Sequence, residues 1–407
     1  MLQYNIFTAG GNVVETLKDR SHENRRERDK VRRKVLKAMG TVAIVLVVIL
    51  AGLFIWNSIR TKLYTGYSEV AAFSQAVSGE AVYEYYEGNI LRYSRDGIAG
   101  IGSDGTDMFN SSYEMSDPMV DTCGSFVAVC DRGKKDVYVY NGSDEGTMLE
   151  MPLPVTRIRV ASQGVVAVVL EDAKSDIIAL YDPYASSDKL LAEVPSNVSD
   201  DGYPVDIALS PDAKSLVTVY LSVKDGSRVS NVCFYNFSEV GQDKNRIVGG
   251  KTYQDSLCVG AEFIGEDEVC LFLDNGFSVF SNMKKPNEEA THIFDKEIRS
   301  SFYDEGYVGF VFPDSGEGMY TMEIYNESGK NILKKSIDYD YEKIYMNGGE
   351  VMLFSGTDCR IIRLNGSTKF STTFDSALRY MIKGKEDEEY YLIDDSEITK
   401  VKLTEGK

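Results

Sequence analysis

The sequence predicts an all-β fold carried behind a single N-terminal membrane helix. Three observations predict it: a long uncharged apolar run near the start, a recurring strand–turn–strand phrase after it, and an opposite charge on either side of the run. The 407 residues include 44 Lys or Arg and 63 Asp or Glu, a net charge of −19. Residues 1–37 hold ten of the bases and five of the acids, so a tail of +5 precedes a remainder of −24. With 43% hydrophobic and 26% charged residues the chain can bury a core, which excludes a mainly disordered or collagen-like protein. Only two histidines, His22 and His292, are present, which excludes most histidine catalysis and multi-histidine metal sites.

The apolar run AMGTVAIVLVVILAGLFIW covers Ala38 to Trp56 without a charge and stays uncharged to Ile59. About 20 apolar residues at about 1.5 Å each span a hydrocarbon core of about 30 Å. Trp56 suits an interfacial anchor, and Arg32, Arg33, Lys34 and Lys37 suit the cytoplasmic side of the span. A buried core helix would need an amphipathic face, and a cleaved signal peptide would need a shorter run and a small-residue cleavage site. The expectation is a plasma-membrane protein with a single span from Ala38 to Ile59, N-terminus cytoplasmic and C-terminal domain extracytoplasmic. The charged collar ENRRERDKVRRKVLKAM fits topology control and attraction to anionic lipid.

Beyond residue 80 the chain alternates short strands with Gly, Asp, Asn and Ser turns. The hairpin phrase appears in VYEYYEGNILRYS, MVDTCGSFVAVC, TRIRVASQGVVAVVL, VDIALSPDAKSLVTVYL, VGAEFIGEDEVCLFL, IRSSFYDEGYVGFVF, KIYMNGGEVMLF and ALRYMIKGKEDEEYYLI. Its turns centre near residues 88, 124, 163, 213, 266, 305, 348 and 386, a period near 40. Such a period, with about four short strands per unit, is the signature of a β-propeller. The predicted fold is therefore a propeller tethered by one N-terminal transmembrane helix, with eight blades preferred and seven the alternative. The expected organisation is a basic tail (1–37), the span (38–59), a stalk with a candidate ring-closing strand (60–79) and the propeller (80–407). The last unit has room for only three strands, and TGYSEVAAFSQAV (65–77) is the candidate for its fourth. The longer third and fourth units are expected to owe their length to linkers at 184–202 and 222–230.

The phrases SPDAKSLVTVY and SQGVVAVV resemble WD40-like blades, and NILRYSRDGIAGIGSDGTDMFN resembles a pyrroloquinoline-quinone-type blade with Phe109 where the docking tryptophan would stand. The whole chain resembles an uncharacterised family of single-pass membrane proteins of Gram-positive anaerobes with an extracytoplasmic propeller. The entry Tyr64, Tyr67, Val70 and the text YEMSDPMVDTCGSFVAVCDRG carry that resemblance, which implies an architecture and no activity. Departures are plain: the one tryptophan lies in the apolar run, so the quinone-type docking motif is missing, as are the Gly-His and Trp-Asp signatures of true WD40 repeats.

Catalytic, cofactor and metal residues are not assigned by sequence. IVGGKT (247–252) resembles the end of a phosphate-binding loop, but Asn245 replaces the glycine and no helix follows. The acids in VSDDGYPVD and IDYDYEK read as solvated loops rather than a calcium loop. His292 reads as exposed. Cys258 and Cys270 flank one hairpin turn, where strand pairing would set them almost opposite; the remaining cysteines read as buried thiols. The expected function is a membrane-anchored binding or scaffold module with a protein or envelope component as partner, and not an enzyme. The alternatives are an envelope sensor signalling through the basic tail and a carbohydrate-active enzyme using paired carboxylates. An outer charge of −24 argues against nucleic acid as a partner.

Overall fold

The computed structural model describes residues 28–405 apart from 29, 31, 35, 38, 55–57, 59, 74–79, 143–144, 173–174, 198–200, 225, 239–245, 315 and 317. It divides into two units, 1–62 and 63–407. In the first, Arg32–Phe54 forms one helix long and apolar enough to cross a membrane, none of it buried. The sequence-expected anchor Trp56, the span ends Ala38 and Ile59, and His22 lie outside the described residues.

The second unit is an eight-bladed β-propeller, each blade a four-stranded antiparallel sheet. Blades 1 to 7 run in sequence order over 82–112, 118–150, 155–197, 203–253, 258–293, 300–337 and 343–373. Blade 8 combines 380–404 with Gly66–Phe73, which pairs antiparallel with Ile398–Thr404 as the outermost strand. Tyr64, just ahead of it, forms a parallel bridge to Phe370 of blade 7 and donates its hydroxyl to Glu388 at 2.9 Å.

Blades stack face to face, so their middle strands are buried on both sides and lose the alternation of a half-exposed strand. The run VVAVVL in blade 3 is the result: Val166, Ala167, Val168 and Leu170 are all inaccessible. Its even residues pack with Val137, Val139 and Leu149 of blade 2, and its odd residues with Ile207, Leu216 and Tyr220 of blade 4. In seven blades the register slips once between the third and fourth strands, as at Val279/Phe280 and Ile324/Tyr325. A bulge there sharpens the twist and makes the outer edge a poor template for further pairing.

Two expectations about the long blades are corrected. The stretch read as a linker at 222–230 instead falls on two paired strands, Ser215–Lys224 and Ser227–Asn236, which form one long hairpin. Within 184–202 lies the outer strand of blade 3, Leu190–Asn197. The extra length therefore resides largely in strands, whose polar tips read as loops.

Candidate functional site

The first strand of each blade lines the central channel. These strands lie side by side and parallel: Arg157 and Arg159 of blade 3 donate their Nε–H to the carbonyls of Val205 and Ile207 of blade 4, both at 2.8 Å. Carboxylates use the same geometry to cross to the next blade. Asp121 accepts from the Val160 amide at 2.6 Å, Asp206 from Ala261 at 3.0 Å and Asp304 from Gly349 at 2.9 Å.

At the end of the channel where the first hairpins turn, a cavity of about 590 Å³ is lined by six acids, Glu84, Asp121, Glu262, Glu266, Asp304 and Glu305, and one cation, Arg159. The Arg159 guanidinium lies 2.8 Å from Glu262, 3.4 Å from Asp206 and 3.7 Å from Asp121, linking blades 2, 3, 4 and 5. Burial raises the Glu262 carboxyl to about 7 despite Arg159, with Asp121 and Asp206 adding to the rise. Burial also raises Asp121, opposed by Arg159 and the Val160 amide. Glu84 rises through burial, opposed by the Tyr93 hydroxyl that donates to it at 2.7 Å. One guanidinium thus serves three carboxylates, and the mouth holds an excess of negative charge that desolvation makes costly.

The residues singled out by sequence fall elsewhere, with one exception. Asp206, from the acidic stretch read as a solvated loop, sits on the inner strand of blade 4 beside Arg159. Two of the three acids of IDYDYEK are taken by arginines, Asp338 by Arg360 at 2.5 Å and Asp340 by Arg299 at 3.3 Å, while Glu342 is exposed. IVGGKT lies on the outer strand of blade 4, Ile247–Tyr253, rather than in a segment between blades, and Lys251 pairs with Glu288. His292 is half-buried instead of exposed: its ring stacks on Phe277 at 4.9 Å and its Nε2 lies 2.7 Å from the Gly329 carbonyl. Cys258 and Cys270 are free thiols that do not face each other. Cys258 is paired with Leu273 and Cys270 with Glu262, and they pack on opposite faces of blade 5. Phe109 stacks on Tyr140 at 4.9 Å and 13°, joining blade 1 to blade 2. Among the described residues no cluster of three His, Cys, Asp or Glu side chains is arranged to hold a metal.

Sequence reasoning missed Asp121, Arg159 and Glu262. Their signal was present in PMVDTC, VTRIRV and CVGAEF, first strands that each carry charge inside an otherwise apolar phrase.

Fold and channel together define an eight-bladed β-propeller with an acidic mouth. The chain belongs to a family described as of unknown function (DUF5711), which it matches over residues 60–403. It is similar in fold to Sqt1 of Saccharomyces cerevisiae, at 9% identity and a TM-score of 0.54, covering 84% of this chain and 100% of that one. It is likewise similar to Chaetomium thermophilum Sqt1 bound to the N-terminus of the ribosomal protein L10, at 12% identity and a TM-score of 0.51, covering 83% and 100%. No match is found among curated proteins.

Proposed function

We propose that this protein is a membrane-anchored binding propeller whose acidic channel mouth receives a basic segment of a protein partner on the extracytoplasmic side. The observation that carries the reading is the mouth itself, with six lining acids against Arg159 alone. A Lys or Arg side chain entering there would take over carboxylate charge that Arg159 shares among three partners, and would meet it where water is partly excluded. A similar propeller, the Chaetomium Sqt1, holds the N-terminus of a ribosomal protein, so the fold is suited to gripping a protein segment. The apolar helix Arg32–Phe54 and the basic residues before it support the anchor and the orientation.

A binder fits better than an enzyme, because Asp121 and Asp206 already accept backbone amides from neighbouring blades and serve to fix the ring.

The test is fluorescence anisotropy with the full chain in detergent. A labelled Lys/Arg-rich peptide is compared with its Glu-substituted counterpart, and the variant Glu266→Gln/Glu305→Gln with the wild type. Selective binding of the basic peptide, weakened by the variant and by salt, is expected. Equal binding of both peptides would refute the reading. Protease accessibility of the propeller in intact cells tests its side of the membrane.

A further inference from the structure

A second cavity, along the inner strands of blades 1, 7 and 8, has a different chemistry. It has a volume of about 600 Å³ and opens between blades 8, 1, 6 and 7, walled by Val82, Tyr83, Phe354, Tyr380 and Ile382. Lys343 reaches into it, exposed, with its ammonium 4.1 Å from the Tyr380 ring centroid and 5.6 Å from that of Phe354. It donates to the Arg379 carbonyl at 2.8 Å, and no carboxylate lies within 4.0 Å of it among the described residues. That is unusual company in a propeller carrying an excess of acids. The neighbouring Lys383 lines the same cavity but is held by Glu350 at 3.5 Å.

A second donor, Tyr83, lines the same cavity. Tyr83 is only 2% exposed, and its hydroxyl has no hydrogen-bond partner. Its ring lies 5.5 Å from that of Tyr380, the ring over which Lys343 sits. Of the acids lining this cavity, Glu84 accepts the Tyr93 hydroxyl and Glu342 is solvent-exposed. The apolar wall thus carries an ammonium without a carboxylate and a buried hydroxyl without an acceptor. The complement of that set is an anionic acceptor on an apolar body, and the cavity has the volume of a small-molecule site.

We propose that this cavity binds an apolar carboxylate, its charged group on Lys343 and its body against Tyr380, Phe354 and Ile382. The carboxylate is that of a free organic acid or of a peptide C-terminus following an apolar residue. This cavity meets the acidic mouth at Glu84, Tyr85 and Asn347, which line both, but its ligand has the opposite charge.

The experiment is titration calorimetry on the full chain in nanodiscs with four probes: 3-phenylpropanoate, its amide, the dipeptide Ala-Phe and Ala-Phe amide. At least one acid should bind about tenfold more tightly than its amide. Binding of phenylpropanoate alone assigns a free acid, and tighter binding of Ala-Phe assigns a chain terminus. Lys343→Met should abolish the preference for acid over amide, and Lys343→Arg should retain it. Tyr83→Phe, which breaks no existing hydrogen bond, should weaken the acid several-fold at unchanged thermal stability. Equal affinities for acid and amide, absence of binding at millimolar concentration, or a preference that survives Lys343→Met would each overturn the proposal.

Discussion

Arg159 of blade 3 reaches past blade 4 to set its guanidinium 2.8 Å from the Glu262 carboxylate of blade 5. Its Nε–H is held by the Ile207 carbonyl on the way, so the side chain is a strut across three blades as well as a counter-ion. Arg159→Met leaves Asp121, Asp206 and Glu262 facing one another without a cation. The expected loss is about 2–3 kcal/mol at pH 8, below the usual cost of breaking a buried pair because these side chains keep some contact with water. Urea denaturation at pH 8 and pH 5.5 checks this, with the smaller loss at pH 5.5, where the carboxylates take up protons.

Glu262 sets a pH dependence whose sign follows from its raised carboxyl. With a folded value of about 7 against an ordinary 4.5, the folded state binds the proton more tightly than the unfolded one. Its contribution therefore favours folding at acid pH and is lost as pH rises from about 4.5 to about 7. Glu262→Gln should flatten the fall in melting temperature between pH 5 and pH 8. A slope identical to that of the wild type would remove Glu262 as its source.

At the seam of blades 7 and 8, Lys369 is wholly buried with its ammonium 2.5 Å from Glu350, and Tyr390 donates to the same carboxylate at 2.5 Å. Lys369→Met alone strands that carboxylate with only Tyr390 and the more distant Lys383, and should cost about 3 kcal/mol. Adding Glu350→Gln removes the orphaned charge and should recover more than half of the loss, which a double-mutant cycle by chemical denaturation measures.

The ring closes through Gly66–Phe73, seven residue pairs long on Ile398–Thr404. A chain beginning at Glu80 exposes that edge, a template for pairing with another chain. Compared with a chain beginning at Arg60, it should elute as dimers or larger species, and its unfolding should lose cooperativity; light scattering after gel filtration decides.

Ala213 occupies the turn of the SPDAK hairpin at φ 57°, in the left-handed region where glycine is at ease. Ala213→Gly removes the Cβ clash but adds freedom to the unfolded chain, so a net gain of about 0.5 kcal/mol is expected. A lower denaturation midpoint would mean that the methyl's packing on the apolar cluster between blades 3 and 4 outweighs the strain.

The blade count was readable in the sequence because each hairpin repeats one physical sentence: a half-polar inner strand, a turn, and a middle strand such as VVAVVL that must be apolar on both faces. The apolar run before Arg60 was readable for the same reason, since the period and length of apolar residues are local quantities. Val166 and Leu170 could both be placed in packed positions from their neighbours in the chain.

The channel could not be read this way. Asp121, Arg159, Asp206 and Glu262 come from four different blades and stand apart by tens of residues, so each alone looks like an ordinary charge in a strand. Only the closed ring, with its inner strands parallel and level, brings them onto one guanidinium. Sequence alone determined a basic tail, an apolar helix and an acidic domain of eight repeats; tertiary structure decided where the acidity gathers. Electrostatic sites depend on distance in space, which a chain of local repeats does not encode until the ring shuts.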